Sequence, residues 1–133
     1  MNHSPVKKPL IEDAVAIIPV SDMAQTLVFY EQTLGFEKRF VSDDASFAMM
    51  LHGEAALHFI KAADDEALKA TRTNISIYLW SKHLDELYAS LEAKLSVLPE
   101  GRVRAPFDQT YAMREFHVKD PDGCLLIFGE TIE

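Results

Sequence analysis

The chain is short of three things, and each shortage excludes a class of protein. A single cysteine, Cys124, stands among 133 residues, which leaves no internal disulfide framework and no cysteine-based zinc site. No apolar run is long enough to span a bilayer, and the opening stretch MNHSPVKKPLIEDA holds two lysines but no apolar segment of signal-peptide length. A cytoplasmic location without a membrane partner is therefore expected. Basic charge is the third shortage. Lys and Arg total 13 against 21 Asp and Glu, a formal net charge of −8. Nucleic acid, bound chiefly through Lys and Arg contacts to phosphate, is disfavoured as a partner. The same field attracts a cationic ligand.

What is present is a globular composition, with 48% hydrophobic and 26% charged residues, in a length that suits one domain, residues 1–133. Its organisation shows in a half-repeat. PVSDMAQTLVFYEQTLGFEKRF, Pro19–Phe40, reads as strand end, amphipathic helix, turn and strand; LWSKHLDELYASLEAKLSV, Leu79–Val97, repeats the strand end and helix about sixty residues later. The pattern implies two βαβββ modules, about 13–61 and 74–130, each too small to close a core alone. Ser21 or Asp22 caps the first helix and Gly35 ends it. Leu84, Leu87, Leu91 and Leu95 stripe the second helix, about Leu84 to Leu95, at three- and four-residue spacing.

Strands are read at Glu37–Val41, Phe47–Leu51, Ala55–Ile60 and Asn74–Trp80, with a closing hairpin of Met113–Lys119 and Cys124–Gly129 turned at Asp120-Pro-Asp-Gly123. Lys61–Arg72 reads as a short helix or loop between the modules, and the stretch holding Pro99, Gly101, Pro106 and Phe107 as a loop. The architecture expected is α+β: paired modules sharing one curved, largely antiparallel sheet with helices on its convex face.

Strand alternation then sorts side chains. Ile75, Ile77 and Leu79 face a helix, whereas Ser76, Tyr78 and Trp80 face the concave side, where a ligand cavity or a subunit interface is expected. His58 points opposite to Leu57 and Phe59. Glu115 and His117 point opposite to Phe116 and Val118. His58, Glu115 and His117 have the residue types of a two-histidine, one-carboxylate site or an acid–base pair; in the other reading they pair with one another and line a wet pocket.

The runs MREFHVKDPDGCLLIFGE and PVSDMAQTLVFYEQTLGFEKRFVSDD resemble the glyoxalase / bleomycin-resistance / extradiol dioxygenase group, the vicinal oxygen chelate superfamily. The likeness spans about Val15 to Glu130. Within the group, LGFEKRFVSDD, LDELYA and MREFHVKDPDG are most similar to the bleomycin-resistance proteins. The resemblance implies paired βαβββ modules and a homodimer with clefts at the subunit boundary.

It also implies where a metal would sit. The four ligand positions of the family's metal enzymes fall here on Val15, His58, Ser76 and Ile127, which alternation and the repeat place together on the concave side. Two hydrocarbons cannot ligate, and a serine hydroxyl is a poor ligand at neutral pH. No metal or other cofactor is expected, and an enzyme is the less favoured reading. The resemblance implies sequestration without chemistry instead, of a bulky cationic glycopeptide whose flat tail stacks between aromatic rings across the dimer cleft. Phe40 falls on the family's stacking phenylalanine. Tyr111 falls where related sequences carry a tryptophan followed by glycine, here Tyr111-Ala112. The ligand-binding set expected is Phe40, His58, Ser76, Tyr78, Trp80, Tyr111, Glu115 and His117, with Asp43, Asp44 and Glu115 neutralising a cation. The partner is thus a small aromatic, cationic molecule, with antibiotic resistance as the use. The alternative is an atypical lyase or oxygenase of the same superfamily using His58, Glu115 and His117.

Overall fold

Apolar residues at alternating or helical spacing, punctuated by Asp, Gly and Pro, build eight strands and three helices in the computed structural model, which describes residues 10–133. Residues 1–9, most of the stretch read above for a leader, lie outside these. The first module runs β1 (Ala16–Val20), α1 (Met23–Val28), β2 (Glu37–Val41), β3 (Phe47–His52) and β4 (Ala55–Lys61); after α2 (Asp65–Asn74) the second runs β5 (Ser76–Trp80), α3 (Leu84–Leu95), β6 (Val103–Asp108), β7 (Met113–Lys119) and β8 (Leu125–Thr131). No helix among the described residues is long and apolar enough to cross a membrane.

Each module closes its own four-stranded sheet, in the orders β1-β4-β3-β2 and β5-β8-β7-β6. The first pair in each order is parallel and the others antiparallel. The α+β class and the paired βαβββ modules are as read from the sequence; the strands, however, form two mixed sheets, not one continuous one. The stretch taken as a loop around Pro106 is strand β6. Its pairing with β7 slips between Arg104 and Phe107, which places Pro106 in a bulge on an edge strand, where a missing N–H is tolerated.

Helix ends follow their local chemistry. The Asp22 side chain accepts the Gln25 N–H at 3.0 Å to start α1. That helix widens into one π-helical turn over Phe29–Thr33, with Leu34 N–H donating to Phe29 O at 3.3 Å. Gly35, at φ 79°, then stops it, and Phe36 N–H donates back to Tyr30 O at 2.8 Å.

The two modules are fastened helix side to helix side. One apolar cluster joins Ile18, Tyr30, Met50 and Phe59 of the first to Leu84, Phe116, Leu126 and Phe128 of the second, with the Phe116 and Phe128 rings stacked at 4.5 Å. The DPDG turn adds a polar latch. Asp120 Oδ1 accepts N–H bonds from Asp122 and Cys124, both at 2.9 Å; Asp120 Oδ2 accepts the Tyr30 hydroxyl at 2.8 Å; and Asp122 takes the Ser21 N–H at 3.0 Å. Burial raises the pKa of Asp120 against the pull of these bonds. Cys124 is buried, and burial pushes its thiol up to about 12, which makes it a packing residue. This arrangement consumes one face of each sheet. The other face of each carries the candidate site.

Candidate functional site

Strand register builds the site row by row. On the first sheet, Phe40, Met49, His58 and Ile17 lie opposite one another across four strands. Phe47 lies between two members of this row, 6.4 Å from the Phe40 ring and 5.5 Å, edge-on, from His58. The face is apolar and uncovered: Phe40 is 49% exposed and Ile17 58%.

The second sheet has a different character. One row reads Trp80, Gly129, Glu115 and Phe107, and the next Tyr78, Ile127, His117 and Arg104. Glu115 stands at the centre and is fully buried. Its Oε1 accepts from Gln109 Nε2 at 3.1 Å and from His117 Nε2 at 2.9 Å; its Oε2 accepts from the Tyr78 hydroxyl at 2.9 Å and the Tyr111 hydroxyl at 2.7 Å. Two bonds per oxygen use the full accepting capacity of a carboxylate. Burial pushes the Glu115 carboxyl up, but the bonds from His117, Tyr111, Gln109 and Tyr78 outweigh it and hold it at about 2. The partners shift the other way: burial and then Glu115 raise the Tyr78 hydroxyl to about 12, and the bond to Glu115 raises that of Tyr111.

The consequence is chemical. A carboxylate with both oxygens saturated is neither a ready general base nor a free counter-ion. Glu115 instead orients rings. Tyr78 and Tyr111 are tied to it, Trp80 packs against Tyr78 at 5.1 Å, and Phe107 meets His117 edge-on at 5.1 Å. Arg104 lies over Phe107 with 3.5 Å from its guanidinium carbon to the ring centroid. Trp80 is 73% exposed and Tyr111 56%, so the faces of both rings remain available. Gly129 makes room for this: a Cβ there would overlap the Tyr78 hydroxyl and ring.

The residues expected from sequence therefore divide between two faces. Tyr78, Trp80, Tyr111, Glu115 and His117 come together on the second sheet, with Ser76 exposed at the start of β5. Phe40 and His58 lie on the first. Val15 stands just before β1, two residues short of the position facing His58, while Ile127 pairs with Tyr78 and His117 on the second sheet. A single chain thus divides the four metal-ligand positions between two sheets, and likewise separates His58 from Glu115 and His117. Among the described residues no three His, Cys, Asp or Glu side chains are grouped to hold a metal ion. Asp44 is occupied as a turn residue, accepting from Ser42 and Ser46, which lowers its pKa; Asp43 is exposed. Sequence reasoning missed Gln109, Phe107, Arg104 and Gly129. The first three sit in or beside β6, which Pro106 disguised, and the notch at Gly129 is visible only once the sheet register is known.

The fold and these two faces define a class: a paired-βαβββ α+β domain bearing its site on sheet faces. The chain belongs to the Glyoxalase/Bleomycin resistance protein/Dioxygenase superfamily, whose family model matches residues 13–128. It is 25% identical over 135 residues to the bleomycin resistance protein of Geobacillus stearothermophilus, covering 90% of this chain and 97% of that one. Among solved structures it is similar to a bleomycin-binding protein complexed with bleomycin, at 25% identity and TM-score 0.74, covering 91% of this chain and 99% of the other. It also shares the fold of the bleomycin-binding protein of bleomycin-producing Streptomyces verticillus complexed with copper(II)-bleomycin, at 22% identity and TM-score 0.74, covering 95% and 99%.

Proposed function

We propose that this protein binds and sequesters a small or mid-sized molecule with a flat aromatic part and a positive charge, without transforming it. The observation that carries the reading is the aromatic platform held around Glu115, with Trp80 and Tyr111 open to solvent on a sheet face no helix covers. A flat ring stacks on such a surface. A cation is attracted by the faces of Trp80 and Tyr111 and by the field of a chain carrying −8. Glu115 serves this face as the post that holds the rings. Relatives described as bleomycin resistance and bleomycin-binding proteins support the same reading, with drug protection as the use.

The binding unit in this reading is a homodimer, in which the apolar face of one copy, with Phe40 and His58, closes over the aromatic face of the other. Exposed Phe40, Ile17 and Trp80 and the unpaired edges of both sheets support a partner copy. Sedimentation should give twice the 15.0 kDa chain mass; a single-chain mass at micromolar concentration counts against the dimer.

Catalysis through His58, Glu115 and His117 is the weaker reading, because all four lone pairs of the Glu115 carboxylate are taken by Tyr78, Tyr111, Gln109 and His117. Titration with bleomycin, followed by heat and by Trp80 fluorescence, tests the proposal. Saturable binding with unchanged ligand supports it. Stoichiometric metal in the purified protein, lost on His58→Ala, would replace it with the enzyme reading.

A further inference from the structure

A second hollow opens where the two modules meet, at the rim of the shared core. It encloses about 240 Å³. Its walls are Leu34 and Phe36 from the first module and Leu87 and Phe128 from the second; Leu34, Phe36 and Phe128 are buried members of the common apolar cluster. The walls are therefore fixed by core packing before any ligand arrives. An apolar cavity of roughly 150 Å³ holds a benzene ring, so this one takes a ring with a short chain attached.

The rim adds a charge preference. In a chain with 21 acidic and 13 basic residues, no carboxylate lines this cavity, whereas Lys82 and His52 do. Lys82 makes no ion pair among the described residues. The His52 ring is held edge-on against Phe36 at 5.4 Å. An apolar socket with a lysine that makes no ion pair among its lining residues fits an amphiphile whose head is anionic and whose body is a single ring. The aromatic platform on the sheet face, with Arg104 on its far edge strand and its carboxylate saturated, has neither this shape nor this charge arrangement.

We propose that the cavity between the modules binds small arylalkanoates, the ring lodged between Phe36, Leu87 and Phe128 and the carboxylate meeting Lys82. Burial of the ring supplies most of the affinity. The lysine separates acids from neutral analogues and makes binding weaken as salt rises.

Trp80, the only tryptophan in the sequence, borders the cavity as well as the sheet face, so its fluorescence responds to a ligand at either place and the variants tell the two apart. The test titrates the full chain with 3-phenylpropanoate and with its neutral amide. A saturable change is expected for the acid, severalfold weaker for the amide. Lys82→Glu should weaken the acid severalfold and leave the amide unchanged. Phe107→Ala and Tyr111→Ala disturb the sheet face and should leave the acid's titration as it was. No saturable change, or equal affinity for acid and amide, overturns the proposal. So does loss of binding in Phe107→Ala and Tyr111→Ala with Lys82→Glu unaffected, which would move the probe to the sheet face.

Discussion

Glu115 is the residue on which the candidate face turns. With a folded-state pKa of about 2 against an ordinary 4.5, its ionised form is favoured in the folded chain. The stability it contributes is complete above the unfolded value and disappears as pH falls from about 4.5 through about 2. Glu115→Gln should cost about 2 kcal/mol at neutral pH, the range of hydrogen bonds to a charged group. In urea melts the gap between variant and wild type should narrow as pH is lowered toward 2. A gap that stays constant with pH would mean that Glu115 is not ionised in this network. Gly129 offers a separate probe. Gly129→Ala drives a methyl into Tyr78 and should cost about 1–3 kcal/mol, a penalty that shrinks in the Tyr78→Ala background. If the two changes add, the notch is not what seats Tyr78.

At the scale of elements, the sequence was most readable where one residue type decides the backbone. A cap at Ser21 or Asp22, which the structure resolves to Asp22, Gly35 as a stop, α3 over Leu84–Leu95 and β7 over Met113–Lys119 all lie where capping and periodicity put them. Strand β6 was hidden because Pro106 argues against a strand, and only the bulge and its edge position reconcile the two. The alternation that aimed His58, Glu115 and His117 away from the core was legible, since Leu57, Phe59, Phe116 and Val118 are all buried. Their mutual distances were not, because alternation gives a side chain's face but not which sheet lies opposite. The DPDG turn shows the same limit. Its chain reversal was readable, but its grip on the first module through Tyr30 and Ser21 was not. Asp120→Ala removes the acceptor for three buried donors and should cost about 3 kcal/mol, with the loss read as a lowered urea midpoint. Asp120→Asn retains an acceptor and should cost much less. Equal losses in the two variants would assign the effect to charge and not to the latch.

At the scale of the molecule, the half-repeat correctly announced two modules but left open how they are joined. They meet helix side to helix side, so each sheet turns its other face outward. The two outward faces are unlike: one is apolar with Phe40, Met49 and Ile17, the other aromatic and polar around Glu115. In the proposed dimer each cleft takes one face from each copy. The direct measurement is calorimetric titration with bleomycin of Phe40→Ala, of Tyr111→Ala, and of the two variants mixed and allowed to exchange subunits. Each variant alone should bind severalfold more weakly than wild type. In the mixed dimer one cleft pairs an unaltered first sheet with an unaltered second sheet, so a class of sites with wild-type affinity should return. Failure of the wild type to bind, or a mixture no tighter than its components, would contradict the account.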